Sequence, residues 1–470
     1  MDLCKLSASQ LLAGYERREF SPVDVAKAVF ARIEKIDGYL HAYLALNQAD
    51  AMAAARQAEK AWLAPGEKPL LCGVPVSVKD TIEMAGMPTT YGSLAFKDNM
   101  RGDAELVRRL RQAGAVILGK TNTPEFALAA HVTNRLGPSG ANPWNLQHTC
   151  GGSSGGAAAA VAAGLGPIGI GTDSAGSVRG PAAYNGIFGL KPTMQRIPSV
   201  QAWRAAPGRS HNGPLTRTVR DAVLTMQALA GPDPRDPDSQ LAPENYLRFR
   251  EKDVRGARIA VSYTLARSDL VANEEMKQAV DGLAHLLKDL GCKVELADPP
   301  QFEGNELLEP GVWAYSGDHY SAGEGMIPGF WEKHQDDLTD YARVVYDAGR
   351  RALAWKYRGA LRRNRSFQER MKAWFASYDF MICPGLGTAP RLDAPKPTAE
   401  RGAVLGFLGP FNHSHNPVAS IPCGFAANGL PIAAQLVGPY GNDLDVLRMS
   451  AVIEGARPWG DRWPDDAAFA

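Results

Sequence analysis

Apolar residues recur along this chain with two periods, one helical and one of strand type, and the two alternate. Residues 6–18 carry apolar positions at helical spacing. Ser21 and Pro22 then supply an N-cap hydroxyl and a first-turn proline, predicting a helix that runs to about residue 36. A third, alanine-rich helix is expected over 47–62. The period then changes to two. Val74, Val76 and Val78 fall on one face of a strand over 73–79, with Pro75, Ser77 and Lys79 on the other. Residues 103–113 read as a helix stopped by Gly114, followed by a short strand at 115–118. An almost bare apolar helix at 155–163 precedes a buried strand at 167–171.

Proline and aspartate dominate 231–237, which marks a surface loop. Strand, helix and strand patterns follow at 258–262, 274–290 and 293–296. Residues 330–377 predict one long, polar helical stretch leading into a buried strand over 378–384. Strands at 419–422 and 430–437 and a helix at 444–454 complete the pattern. Such alternation predicts an α/β layered fold with a largely buried sheet. Strands recur at both ends of the chain with no clean linker between them. Residues 1–470 are therefore expected to form a single large domain, with roughly 234–400 as a more variable peripheral region.

Composition narrows the function classes. Lys plus Arg number 51 against 50 Asp plus Glu, a net charge of +1, so no electrostatic footprint for nucleic acid or an anionic membrane is present. A hydrophobic content of 45% with 21% charged residues is ordinary for a globular protein. The six cysteines (Cys4, Cys72, Cys150, Cys292, Cys383 and Cys423) are scattered without a CxxC pair, which predicts reduced thiols rather than a disulfide framework or zinc site. The first residues lack the apolar core of a signal peptide, and the longest apolar run, 157–170, is broken by glycine and proline. A cytoplasmic enzyme is the expectation.

Two glycine-flanked serines carry the candidate chemistry. Gly151-Gly152-Ser153-Ser154-Gly155-Gly156 taken alone reads as a flexible turn, but it sits directly before the apolar helix. Ser177 follows 24 positions after Ser153, in a second turn, Ala175-Gly176-Ser177. Glycines at a helix start leave backbone N–H groups free to face a ligand. The N–H groups of Ser174, Ala175, Gly176 and Ser177 are thus candidates for an oxyanion hole around a nucleophile in the same turn. A phosphate-binding loop is excluded, because neither glycine cluster leads into Gly-Lys-Ser/Thr or a GxGxxG turn. None of His131, His148, His211, His413 or His415 lies in a recognisable triad setting, and no G-x-S-x-G elbow occurs. A desolvated lysine is the better base. Lys79 and Lys120 both end apolar strands and compete for that role, with Lys191 a weaker third, and periodicity alone does not choose between the first two.

With these segments in view the chain resembles the amidase signature family. The resemblance is carried by Gly73 to Asp80, Gly119 to Phe126, Asn142-Pro143-Trp144, Gly151 to Gly156, Gly171 to Arg179, Gly186 to Thr193, and Asn416-Pro417 through Gly429-Leu430-Pro431, and so spans essentially the whole chain. It implies a mixed, mostly buried sheet flanked by helices on both faces and a Ser–cisSer–Lys catalytic unit. By position, Ser177 is then the nucleophile, Ser153 the bridging serine behind a cis peptide, and Lys79 the base. Ser154, Asp173 and Arg179 would support the turn. No metal or organic cofactor is implied. Two residues depart from the family pattern: Ala175 replaces the first glycine of the nucleophile turn, and Cys150 stands where proline is common.

The resemblance favours a stand-alone hydrolase of a small carboxylic amide, acting through a Ser177 acyl-enzyme. Its partner would be a small-molecule amide substrate, with no nucleic acid and no membrane, and a homodimer is admitted as its assembly. One alternative is the glutamine-hydrolysing component of a tRNA-dependent amidotransferase, which typically shows Asp-Glu-Phe-Ala where this chain has Thr123-Pro124-Glu125-Phe126. A catalytically silent binding homologue is the other, and intact Ser177, Ser153 and Lys79 speak against it. Substrate choice is expected to reside in 128–132, 200–203, 313–320 and 407–415, whose aromatics favour an aryl or bulky acyl group.

Overall fold

The N-cap predicted at Ser21 forms, and a second one stands at Ser7. Ser7 and Ser21 each close a capping box, with Gln10 and Asp24, and start helices Ala8–Arg17 and Pro22–Leu40. The computed structural model describes residues 1–200, 208–249, 253–301, 316–393 and 404–469. Its strands are β1 (Tyr43–Leu46), β2 (Pro75–Lys79), β3 (Val116–Thr121), β4 (Ala141–Asn142), β5 (Asn145–Thr149), β6 (Ile168–Asp173), β7 (Phe188–Lys191), β8 (His211–Thr216), β9 (Arg258–Val261), β10 (Lys293–Leu296), β11 (Phe380–Pro384), β12 (Val418–Phe425) and β13 (Pro431–Val437). The ribbon β4–β5 stands apart. The other 11 strands form one sheet in the order β1-β3-β2-β6-β8-β7-β12-β13-β11-β9-β10.

The sheet is mixed. Strands β3, β2 and β6 run parallel to one another, as do β11, β9 and β10, and antiparallel pairs join the two groups. Helices cover both faces. Val76, Val78, Ile168 and Ile170 join a core that includes Leu106, Val107, Val219 and Val223 of helices Glu105–Gln112 and Val219–Leu229. Val116 and Leu118 of β3 point the other way, into a core with Val29 and Ile33 of helix Pro22–Leu40 and with Ala159 and Ala160 of helix Gly155–Ala162. A strand buried on both sides shows a weaker alternation than a half-exposed one. That is why β7 and β8, with Gly189, Gly213 and Pro214 in their runs, were not legible from periodicity.

One expectation needs correction. The predicted helix over 330–377 is three helices, Phe330–His334, Asp340–Arg350 and Ala354–Trp374. The break before Asp340 is a cap: Thr339 is extended and its hydroxyl accepts from the Ala342 N–H. Segment 234–400 supplies β9, β10 and β11 at one edge of the sheet. Among the described residues, no helix is long and apolar enough to cross a membrane.

Candidate active site

The site lies where parallel strands end. Because β2 and β6 run side by side in the same direction, with Val78 opposite Ile170, Lys79 and Thr172 emerge at one edge of the sheet. Helix Gly155–Ala162 leads back into β6, so its N-terminus, with Ser153 and Ser154, stands at that same edge. This is the carboxyl-end crevice in which open α/β sheets place their ligands. The helix approaches closely because its first turn is glycine. A Cβ on Gly156 would stand 2.5 Å from the Ala42 carbonyl oxygen and 2.6 Å from the Asn122 nitrogen.

Lys79 is fully buried, and its Nζ lies 2.6 Å from Ser153 Oγ. The same nitrogen is 2.8 Å from Thr172 Oγ1 and 3.5 Å from the Thr172 carbonyl oxygen. Burial lowers the Lys79 pKa to about 7, against an opposing pull from Asp173. Burial also depresses Lys120 and Lys191, so lowered basicity does not select among the three. The partners do. Lys120 is paired with Asp80 at 2.9 Å and donates to Ile82 O and Thr89 Oγ1, while Lys191 donates to the Asn416 and Pro192 carbonyls. Lys79 meets a serine. The Gly152–Ser153 peptide is cis, and Ser153 is fully buried.

Ser154 acts on backbone rather than on the lysine. Its hydroxyl donates to the Thr172 carbonyl at 3.1 Å and accepts from the Thr172 N–H at 3.2 Å, fastening the glycine-rich turn to the end of β6. The Ser154 N–H donates to the Ser177 carbonyl, which joins the two serine turns directly.

The turn 174–178 is wrapped around the Asp173 carboxylate. That carboxylate accepts from the N–H groups of Gly176 (2.7 Å), Val178 (3.1 Å) and Arg179 (3.4 Å). Gly176 therefore leaves the predicted set of free donors. The N–H groups of Ser174, Ala175 and Ser177 have no hydrogen-bond partner among the described residues and stand on the half-buried side of the turn. The bend needs glycine at 176, where φ is +115° and a Cβ would meet Leu408 Cδ1 at 2.4 Å. Ala175 has no positive φ, which is why alanine is accommodated there.

Arg179 is buried behind this turn with all five N–H donors engaged. Nε and Nη2 hold the two Asp173 oxygens at 3.0 Å each, Nη1 donates to Leu408 O and Gln435 Oε1, and Nη2 also reaches Asn412 Oδ1 at 2.6 Å. Burial by itself would raise the Asp173 pKa, but Arg179, with Lys191 and Asn412, holds the carboxyl well below its usual range. Thr172, Asn412 and Gln435 contact Lys79 or Arg179 and were not singled out by sequence reasoning. Thr172 lies within the segment Gly171 to Arg179 that carries the family resemblance, Asn412 within the segment 407–415 expected to govern substrate choice, and Gln435 has no local signal.

The remaining candidates separate clearly. Cys150 is fully buried under the turn, and a Cβ on Gly155 would stand 2.8 Å from its Sγ; burial pushes the thiol up to about 12. The backbone of 129–131 packs against Gly152, and Leu408 against Gly176, so segments 128–132 and 407–415 do adjoin the two serine turns. Residues 201–203 and 313–315 of the other two segments lie outside the described residues.

Known proteins share this arrangement of chain. The Amidase family profile matches residues 24–447. An acylamidase of Rhodococcus erythropolis is 34% identical over 98% of each chain. The glutamyl-tRNA(Gln) amidotransferase of Lysinibacillus sphaericus has an A-type component that is 32% identical over 99% of each chain. The crystal structure of a bacterial aryl acylamidase of the amidase signature family superposes with a TM-score of 0.88 at 26% identity, covering 99% of this chain and 97% of that one. Fold and sequence thus agree: the chain belongs to the amidase signature family, hydrolases of carbon–nitrogen bonds in amides.

Proposed function

We propose that this protein is a stand-alone amidase that cleaves small carboxylic amides through an acyl-enzyme on Ser177, with Ser153 and Lys79 as its proton relay. The observation that carries this reading is the buried Lys79 Nζ, 2.6 Å from Ser153 Oγ. As a neutral amine, Lys79 directs N–H bonds at Thr172 Oγ1 and O, which leaves its lone pair for the Ser153 proton. Ser153 in turn takes the Ser177 proton as Ser177 Oγ attacks the amide carbon. The negative carbonyl oxygen is held by the N–H groups of Ser174, Ala175 and Ser177. The relay then runs backwards: Ser153 protonates the leaving amine, and water, activated by the same pair, releases the acid.

The substrate class follows the relatives named acylamidase and aryl acylamidase: an acyl amide with an aryl or alkyl amine. We assign discrimination between substrates to 128–132 and 407–415 beside the serine turns, with 234–400 as the more variable region. The test is rapid-quench mass spectrometry of an anilide turnover. An acyl adduct on the peptide containing Ser177 is expected; turnover with no adduct on that peptide would sink the proposal.

The Lys79 pKa of about 7 sets the pH dependence. Protonated lysine cannot accept the serine proton, so activity depends on the neutral form. We expect kcat/KM to fall about tenfold per pH unit below 7 and to level off above about 8. A flat profile between pH 5 and 8 would remove Lys79 as the base.

A second reading has the 32% identity to the amidotransferase component in its favour. It requires glutamine to be the amide. Ammonia release from glutamine that appears only with partner proteins and tRNA would replace the stand-alone assignment.

A further inference from the structure

The carbonyl oxygen of Asp173 is gripped by two side chains from outside the turn. Asn412 Nδ2 donates to it at 2.8 Å, and His211 Nδ1 stands 3.2 Å from it. Asn412 Nδ2 also lies 3.4 Å from His211 Nδ1, but the carbonyl oxygen is nearer and only accepts, which places the ring proton on Nδ1 and the lone pair on Nε2. The ring is 2% exposed, and Nε2 has no hydrogen-bond partner among the described residues. Burial, helped by Lys191 and His415, holds His211 well below the usual histidine range, so the ring is neutral. The proton relay uses neither residue. Both act on the peptide unit that joins Asp173 to Ser174.

That unit ends in the Ser174 N–H, one of the three free donors of the turn. The bond is trans and the peptide planar, so its C=O and N–H point in opposite directions. Holding the oxygen at the back therefore sets the direction of the N–H at the front. Two donors on one carbonyl also draw density towards its oxygen, which strengthens the attached N–H as a donor. Asn412 has further ties, to Asp173 Oδ1 and Arg179, that make it structural as well. His211 is not bonded to Arg179, and its placement follows from β8, where it pairs opposite Asp173.

We infer that His211 and Asn412 are positioning residues that aim the Ser174 N–H at the oxygen which turns negative when Ser177 attacks. The inference rests on the reading of Ser177 as nucleophile. A donor aimed at a developing charge stabilises the transition state more than the bound amide, so its loss appears in kcat rather than KM.

His211→Phe keeps a ring and deletes the donor; His211→Gln returns a donor. Removing an oxyanion donor outright costs about 10²–10³ in kcat, and one of two bonds holding such a donor is worth less, so about tenfold is expected from His211→Phe at nearly unchanged KM. The second readout is a trifluoromethyl ketone inhibitor. Ser177 Oγ adds to its carbonyl carbon, the Ser177 proton passes to the relay, and the ketone oxygen becomes the oxyanion. Its affinity is expected to fall by the same factor as kcat, and His211→Gln to recover most of both. Should the phenyl ring not be accommodated, His211→Leu is expected to show the same split. An unchanged kcat in a folded His211→Phe or His211→Leu variant overturns the inference, as does a rise in KM alone. A Ser177→Ala variant run in parallel separates the failures. If it is inactive while the His211 variants match wild type, only the positioning role falls; if it is active, the nucleophile assignment falls first.

Discussion

Ser177→Ala is expected to lower kcat/KM for an amide substrate by about 10⁴-fold or more while leaving thermal stability unchanged. The two halves of this expectation have separate causes. Ser177 is half-buried, and its hydroxyl makes no hydrogen bond among the described residues, so its removal leaves no orphaned partner and no cavity in the core. The turn itself is held by Asp173 through the N–H groups of Gly176, Val178 and Arg179, none of which involves the serine side chain. The chemistry, by contrast, loses the atom that forms the acyl bond. The oxyanion donors remain in the variant, so a small residual rate above the uncatalysed one is compatible with the assignment. Steady-state kinetics with labelling by a fluorophosphonate checks both halves: the wild type should carry one adduct on Ser177 and the variant none. Full activity in Ser177→Ala would require another nucleophile.

Arg179→Leu is expected to cost about 3–5 kcal/mol of stability, the penalty of leaving a buried charge without its partner. The guanidinium is 1% exposed, and all its N–H groups are bound. Leucine would leave the Asp173 carboxylate with backbone N–H groups and Asn412 but no hydrogen-bonded counter-charge. It would also strip a donor from Leu408 O, Gln435 Oε1 and Asn412 Oδ1, all in the interior. These partners, with Asp173, come from the end of β6, the segment 408–412 and β13, so one side chain ties the base of the nucleophile turn to two distant parts of the chain. Activity should fall along with stability, because the turn that presents Ser177 and the free N–H groups is folded around Asp173. Chemical denaturation of the full-length variant measures the first effect. A loss below about 1 kcal/mol would mean that the pair is offset by its own desolvation and that the turn is held by other contacts.

Much of this site is legible in the chain alone. The capping residue Ser21 acts on the N–H group three positions ahead, and the Val74, Val76, Val78 alternation is a property of an extended chain. Such short-range relations are written in consecutive residues. The serine turns are legible for a similar reason: Gly156 and Gly176 are demanded by close approach and by a φ of +115°, and both stand out as glycine in the chain. Legibility fails where burial on both faces erases the pattern, as in β7 and β8, and where a cap breaks an otherwise continuous helical period at Thr339.

By itself, then, the sequence determined the two serine turns, their apolar helix and strand, the α/β class and the family. Tertiary structure alone decided which groups face one another. Lys79 and Lys120 end neighbouring strands and look alike along the chain, yet one meets Ser153 and the other Asp80. Four backbone donors looked equivalent in the nucleophile turn until the Asp173 side chain folded in and took one of them. Asn412 reaches Asp173 from 239 residues away, and His211 from the paired strand β8. Periodicity records which face a side chain takes; it contains nothing about the order of strands in a sheet. That order, closed by long-range pairing, sets the neighbours of a buried polar group, and those neighbours fix its protonation and the direction of its bonds.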